Sequence, residues 1–132
     1  MKAAVFHGPR DTRVEEVAEP TLEEGEVLLR VRACGICGSD LHSYRHGVFQ
    51  EVLGVPVETG RILGHEFSGE IVEICGDVAG LEVGDRVVGS GIGANAELVK
   101  IRSSMTPLLV PFDEAPSFVE AATTEPLATP SR

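Results

Sequence analysis

Glycine and proline break this chain so often that short strands and turns are favoured over long helices. Fifteen glycines and eight prolines are spread through 132 residues, and each is a natural turn or stop signal. Between the breaks, apolar residues alternate. In "EVLLRVRAC", Val27, Leu29 and Val31 alternate with Leu28, Arg30 and Arg32, the period-two pattern of a half-buried strand. Lys2 to His7 reads as a first strand ended by Gly8-Pro9, and Arg13 to Val17 as a strand pairing back on it. "EFSGEIVEIC" leads into a Gly76-Asp77 turn, "LEVGDRVVG" gives a tight turn and a strand, and "AELVKI" gives another. Residues 48 to 61 read as a loop.

Two helices are expected. "SDLHSYRHG" has helical length, with Ser39 or Asp40 as N-cap and Gly47 as stop. "SFVEAATTEPLA" forms the second, stopped or kinked at Pro126. The sum is one mainly β domain spanning residues 1–132, a partly open barrel with short peripheral helices, since the strands are few and unequally spaced for a sandwich.

Charge and length exclude several function classes. Lys and Arg number 11 and Asp and Glu 21, giving a net charge of −10. No basic stripe is present, so nucleic acid and anionic membrane surfaces are not expected as partners. No apolar run is long enough for a signal peptide or a membrane span, which makes a cytoplasmic location the expectation. Cys34, Cys37 and Cys75 are an odd count at a length that does not suit a secreted disulfide framework.

The stretch with most chemistry is "CGICGSDLH", residues 34 to 42. By itself it reads as a redox CxxC pair, half of a structural zinc knuckle, or one corner of a catalytic metal site. A second stretch, "GRILGHEFSG", carries His65 and Glu66 between Gly64 and Gly69. Cys37, His65, Glu66 and Glu125 together offer a thiolate, an imidazole and two carboxylates, a mixture zinc accepts. Their wide spacing differs from the local ligand pairs of a zinc finger and suits a site built into the wall of a fold.

"CGICGSDLH", "GHEFSGEIVEICGDVAGLEVGDRVV" and "EAATTEPLA" resemble the catalytic domain of zinc-dependent medium-chain alcohol and polyol dehydrogenases. The resemblance runs from Met1 to about Arg132. It implies a GroES-like barrel, a single catalytic zinc and NAD or NADP as hydride acceptor. By the same resemblance Cys37, His65, Glu66 and Glu125 are the metal ligands, Glu66 standing either on the metal or just behind it. Asp40 orients His65, Ser39 and His42 relay the alcohol proton, and Tyr44 is a candidate pocket residue. The glutamate-proline at Glu125 is more like the polyol, butanediol and threonine dehydrogenase branch than the classical alcohol branch. The substrate implied is a small alcohol or polyol, and an oligomer is compatible. Cys34 is expected to be a packed, neutral thiol.

The sequence departs from that family in three places. Only "GSGIGAN" joins "GDRVV" to "AELVKI", where the family usually inserts a lobe, often with a second, structural zinc, so no structural zinc is expected. Cys75 stands where the signature has a small residue. The dinucleotide-binding domain is not within these residues, and 117–132 are expected to form the helix leading to it. The isolated domain is therefore expected to bind zinc and to be inactive or nearly so. "GSGIGA" satisfies a bare dinucleotide-binding glycine pattern, but a strand-like segment follows it, so it reads as a shortened hairpin loop. Two rival functions are a stand-alone zinc-binding module without catalysis and a structural, co-chaperonin-like barrel. A scaffold would have no use for the constellation of Cys37, Ser39, Asp40, His42, His65 and Glu66.

Overall fold

A computed structural model describes residues 1–48 and 55–123. Its elements in chain order are β1 (Lys2–Gly8), β2 (Asp11–Glu16), β3 (Val27–Gly35), α1 (Gly38–His46), β4 (Glu66–Ile74), β5 (Arg86–Ser90), β6 (Leu98–Ile101), a 3-10 turn (Thr106–Leu108), β7 (Val110–Pro111) and α2 (Phe118–Ala122). The alternating segments became strands, and the two helix signals became short helices.

The strands form a two-stranded sheet, β1-β2, and a five-stranded sheet ordered β6-β3-β4-β5-β7. All the pairings are antiparallel. The small sheet is tied through main-chain hydrogen bonds to the segments that lead into β4 and β6 of the large one. The Ala4 amide donates to the Asn95 carbonyl and the Phe6 amide to the Arg61 carbonyl, both at 2.8 Å. Bridges Ala3↔Ala96 and Val5↔Ile62 lie at the same places. The result is the expected partly open barrel.

Burial follows from the period-two pattern. Val27, Leu29, Phe67, Ile71, Val87, Val99 and Ile101 face one core, and Phe67 is wholly buried. Truncating an aromatic of that kind to alanine costs about 3–5 kcal/mol. β3 and β4 are the long central pair, and their register sets Gly35 opposite Glu66 and Val31 opposite Gly69. Gly69 is required by close packing, since a Cβ there would lie 2.1 Å from the Arg30 carbonyl oxygen.

Two expectations are corrected. The N-cap of α1 is Cys37, with an extended backbone at φ −87° and ψ 160°. Asp40 stands three residues further on and reaches back to the Cys37 amide at 2.9 Å, the reciprocal half of a capping arrangement. Ser39 is already inside the helix. Gly47 does stop the helix, in the left-handed conformation at φ 71°. Second, residues 89 to 94 do not close a hairpin, because β5 pairs with β4 and β7 while β6 pairs with β3. The glycine pattern opens no helix.

α2 begins at a Ser117 N-cap whose hydroxyl accepts from the Glu120 amide at 3.2 Å. It packs on β3, β4 and β5 through buried Ala121 and Ala122. The wholly buried Ser68 hydroxyl donates to the Phe118 carbonyl at 2.5 Å. The Arg86 guanidinium lies over the Phe112 and Phe118 rings, 5.0 and 4.3 Å from their centroids, and the two rings meet edge to face. The expected helix over 117–132 is seen only at its start, since residues 124–132, Glu125 and Pro126 among them, lie outside the described residues. Among the described residues no helix is long and apolar enough to cross a membrane.

Candidate metal centre

Three of the four expected ligands meet. One ligand atom each from Cys37, His65 and Glu66 lies within 4.8 Å of the others. Cys37 comes from the start of α1, His65 from the residue before β4, and Glu66 from the first residue of β4. Glu125 lies outside the described residues.

Local structure explains the convergence. Gly64 adopts φ +93°, a left-handed conformation that turns the chain into β4. A Cβ on Gly64 would lie 2.6–2.8 Å from Asn95, so only glycine lets the two segments touch. The Gly64 carbonyl accepts from the amides of Gly93 and Ala94 at 3.0 and 3.1 Å, and the Leu63 carbonyl from Asn95 at 2.9 Å. The shortened connection after β5 therefore clamps the segment that presents His65. Across the β3–β4 ladder, Gly35 leaves room for the Glu66 carboxylate, since a Cβ at Gly35 would sit 3.1 Å from Glu66 Oε2.

Asp40 joins the two halves of the site. Its Oδ2 accepts from the Cys37 amide at 2.9 Å, and its Oδ1 lies 3.5 Å from His65 Nδ1. On the other side of the ring, His65 Nε2 is 3.8 Å from Glu66 Oε1. A carboxylate on the rear nitrogen of the imidazole, with the front nitrogen facing further donors, is the usual support for a metal-binding histidine.

The electrostatics agree with that geometry. Without a metal, the hydrogen bond to Asp40 raises His65 to about 9, against the opposing effect of burial and with help from Cys37. Burial by itself would raise Asp40, but its hydrogen bonds to His65 and to the Cys37 amide outweigh that and hold it below the usual carboxylate value. Cys34 is different. Burial, joined by the nearby negative charge of Asp40, pushes its thiol up to about 11. It packs against the core, and both it and Cys37 are free cysteines. The two cysteines of the CxxC thus have separate environments, one packed into the barrel and one at the cluster.

The remaining expected residues lie on α1. Ser39 is half-buried, and its carbonyl accepts from the Ser43 hydroxyl at 2.8 Å. His42 is half-buried, with Nε2 shielded from solvent and without a hydrogen-bond partner among the described residues. Its ring centroid is 4.8 Å from that of His46, a contact the sequence reading did not foresee, although a histidine pair four apart on a helix signals it. No hydrogen bond joins the Ser39 hydroxyl to His42. Tyr44 is exposed, and its hydroxyl donates to the Arg10 carbonyl at 3.4 Å, in the turn between β1 and β2.

Beside the cluster a cleft of about 640 Å³ opens, with His65 in its wall. Arg61, Lys100 and Arg102 also line it. The sequence carries no motif that announces these three, because they come from separate segments that the fold assembles.

Comparison with known proteins places the chain. The alcohol dehydrogenase GroES-like domain family matches residues 23–110. (R,R)-Butanediol dehydrogenase of Bacillus subtilis is 47% identical over 93 residues, covering 67% of this chain and 27% of that protein. Erythritol/L-threitol dehydrogenase of Mycolicibacterium smegmatis is 48% identical over 99 residues, covering 70% of this chain and 27% of that protein. In the crystal structure of 2R,3R-butanediol dehydrogenase from Bacillus subtilis, a match with a TM-score of 0.75 and 34% identity covers 95% of this chain and 44% of that one. The chain therefore spans 27% of the length of these two curated relatives.

Proposed function

The chain belongs to the family of alcohol dehydrogenase GroES-like domains, and on that premise we propose that it is the metal-binding part of a zinc-dependent alcohol or polyol dehydrogenase. The observation that carries this reading is the convergence of Cys37, His65 and Glu66 within 4.8 Å, with Asp40 behind the histidine. The donor set fits zinc. Bonds of about 2.0–2.3 Å in a tetrahedron put ligand atoms about 3.5 Å apart, so a modest contraction of the cluster brings all three into range. Glu125 is proposed as a fourth ligand. Bound there, zinc would supply a Lewis acid that makes a substrate hydroxyl easier to deprotonate.

The residues of the chain do the rest. Asp40 fixes the His65 ring with Nδ1 turned to the carboxylate, leaving Nε2 on the Glu66 side. Its hydrogen bond from the Cys37 amide holds the cap of α1 in register with that ring. Ser39 takes the substrate proton and His42 passes it toward solvent, a relay one helical turn long. The unpartnered Nε2 of His42 supports that role, since no competing hydrogen bond among the described residues occupies it. The hydride acceptor is NAD or NADP, held by a dinucleotide-binding domain, and Tyr44 contributes to the substrate pocket.

The test is direct. The purified chain should carry one zinc per molecule after passage over a chelating resin. The double variant Cys37→Ser, His65→Ala should carry none, and an unchanged zinc content in it would refute the assignment. In a protein carrying both domains, diols and polyols should reduce NAD or NADP, while the 132-residue chain by itself should bind zinc without turnover.

A further inference from the structure

Three of the chain's eleven Lys and Arg residues, Arg61, Lys100 and Arg102, line the cleft beside His65, and none of its described lining residues is an Asp or Glu. That is the reverse of the whole chain, where carboxylates outnumber cations 21 to 11. Arg61 and Arg102 make no ion pair among the described residues, and Lys100 has one at long range, 3.8 Å from Glu26 Oε1. The positions are held by main chain. The Arg61 carbonyl accepts from Phe6 on β1 at 2.8 Å, and the Arg102 carbonyl from Met105 and Thr106 at 2.8 and 3.2 Å. Lys100 lies in β6 and Arg102 is the first residue after it, and both line the cleft. Like charges gathered in a concavity repel one another, and such a cleft attracts anions by focusing the field. At about 640 Å³ the cleft has the size of a small-molecule site, for which ~300–1,000 Å³ is usual.

We propose that this cleft binds the anionic end of the substrate, so that the alcohol oxidised carries a phosphate ester or a carboxylate. Arg61 and Arg102 hold the oxyanion, and Lys100 adds charge. His65 in the same wall places the metal centre next to the anion, so one molecule presents its hydroxyl to the metal and its charged tail to the arginines. The position of the reactive end rests on the dehydrogenase reading above, whereas binding of the anion does not.

The experiment titrates the zinc-free, nitrogen-15-labelled chain with glycerol 1-phosphate at low ionic strength and follows amide shifts by NMR. Expected are shifts at residues 60–62, 90–93 and 100–105, none with neutral glycerol, and a loss of about tenfold or more in affinity in Arg61→Gln, Arg102→Gln, the scale of one lost charge-assisted hydrogen bond. Arg61→Lys, Arg102→Lys should recover part of it. Should the glutamine variant lose its spectral dispersion, salt serves instead, and affinity in the unaltered chain should fall several-fold as ionic strength rises through the physiological range. Absent or salt-insensitive shifts, shifts centred elsewhere, or equal shifts with glycerol overturn the proposal. Tighter binding of adenosine 2′,5′-bisphosphate at the same amides would assign the cations to a nucleotide phosphate and overturn the substrate assignment. Cys37→Ser should keep the phosphate affinity, so a failed metal assignment and a failed anion site give different results.

Discussion

Asp40 Oδ1 lies 3.5 Å from His65 Nδ1 while Asp40 Oδ2 accepts from the amide of Cys37. One carboxylate therefore fixes a ring on one segment and a helix start on another. Asp40 is 8% exposed, and a buried carboxylate is tolerated only when hydrogen-bonded in this way. This link predicts that Asp40→Asn keeps the fold but weakens zinc binding about 10–100-fold, the usual loss when the carboxylate behind a metal histidine is removed. Competition with a chromophoric chelator measures it. Equal affinity in the variant and the parent would show that the carboxylate does not support the metal.

The metal-free protein should lose stability as pH rises. His65 is raised from 6.5 to about 9 by Asp40, so its charged form is favoured in the folded state. The stabilisation is fully present below about pH 6.5 and is lost as pH climbs through about 9. After allowance for partial exposure it amounts to on the order of 2 kcal/mol. Urea titrations of the chelator-treated chain at both ends of that window measure it, and His65→Gln should flatten the dependence.

Zinc should displace a proton from His65 throughout the neutral range, since a histidine raised to about 9 must lose its proton to ligate. Calorimetry at pH 7.5 in buffers of different ionisation enthalpy should show net proton release. His65→Ala should reduce the number released, and a number that stays the same would place the proton elsewhere.

Gly69→Ala should destabilise the domain by on the order of 3 kcal/mol, because the added methyl group meets backbone and neither strand of the central pair can move away cheaply. The Cβ would lie 2.1 Å from the Arg30 carbonyl oxygen. Gly80→Ala meets no atom within 4 Å and carries only the cost of φ +78°, so the ratio of the two effects separates packing from backbone strain. Thermal melts of both variants measure it.

Cys34 should resist iodoacetamide at neutral pH. Its thiol is pushed up to about 11, mainly by burial, and the reactive species is the thiolate. Mass spectrometry of the native chain should find Cys34 unmodified under conditions that label it in urea.

Local signals found most of the elements and the residue types of the site. Alternation located β3, β4, β5 and β6, because side-chain period is a property of neighbours along the chain. Gly47 stopped α1 as read. The cap was misassigned because serine and aspartate are the common capping residues, whereas Cys37 holds the position here and Asp40 serves it from inside the helix. The supposed hairpin after β5 was misread because pairing partners are chosen across the sheet, and β6 found β3.

By itself the sequence determined that a thiol, an imidazole and a carboxylate suited to zinc were present, and that strands and tight turns would carry them. Only the tertiary structure decided that they meet. The β3–β4 register sets Gly35 against Glu66, the contact of Gly64 with Asn95 holds the His65 segment, and Asp40 reaches across to it. The basic cleft was decided at that level too, since Arg61 hangs on β1 and Arg102 follows β6. Distances between residues far apart in sequence depend on strand pairing and packing, which no local pattern of residues encodes.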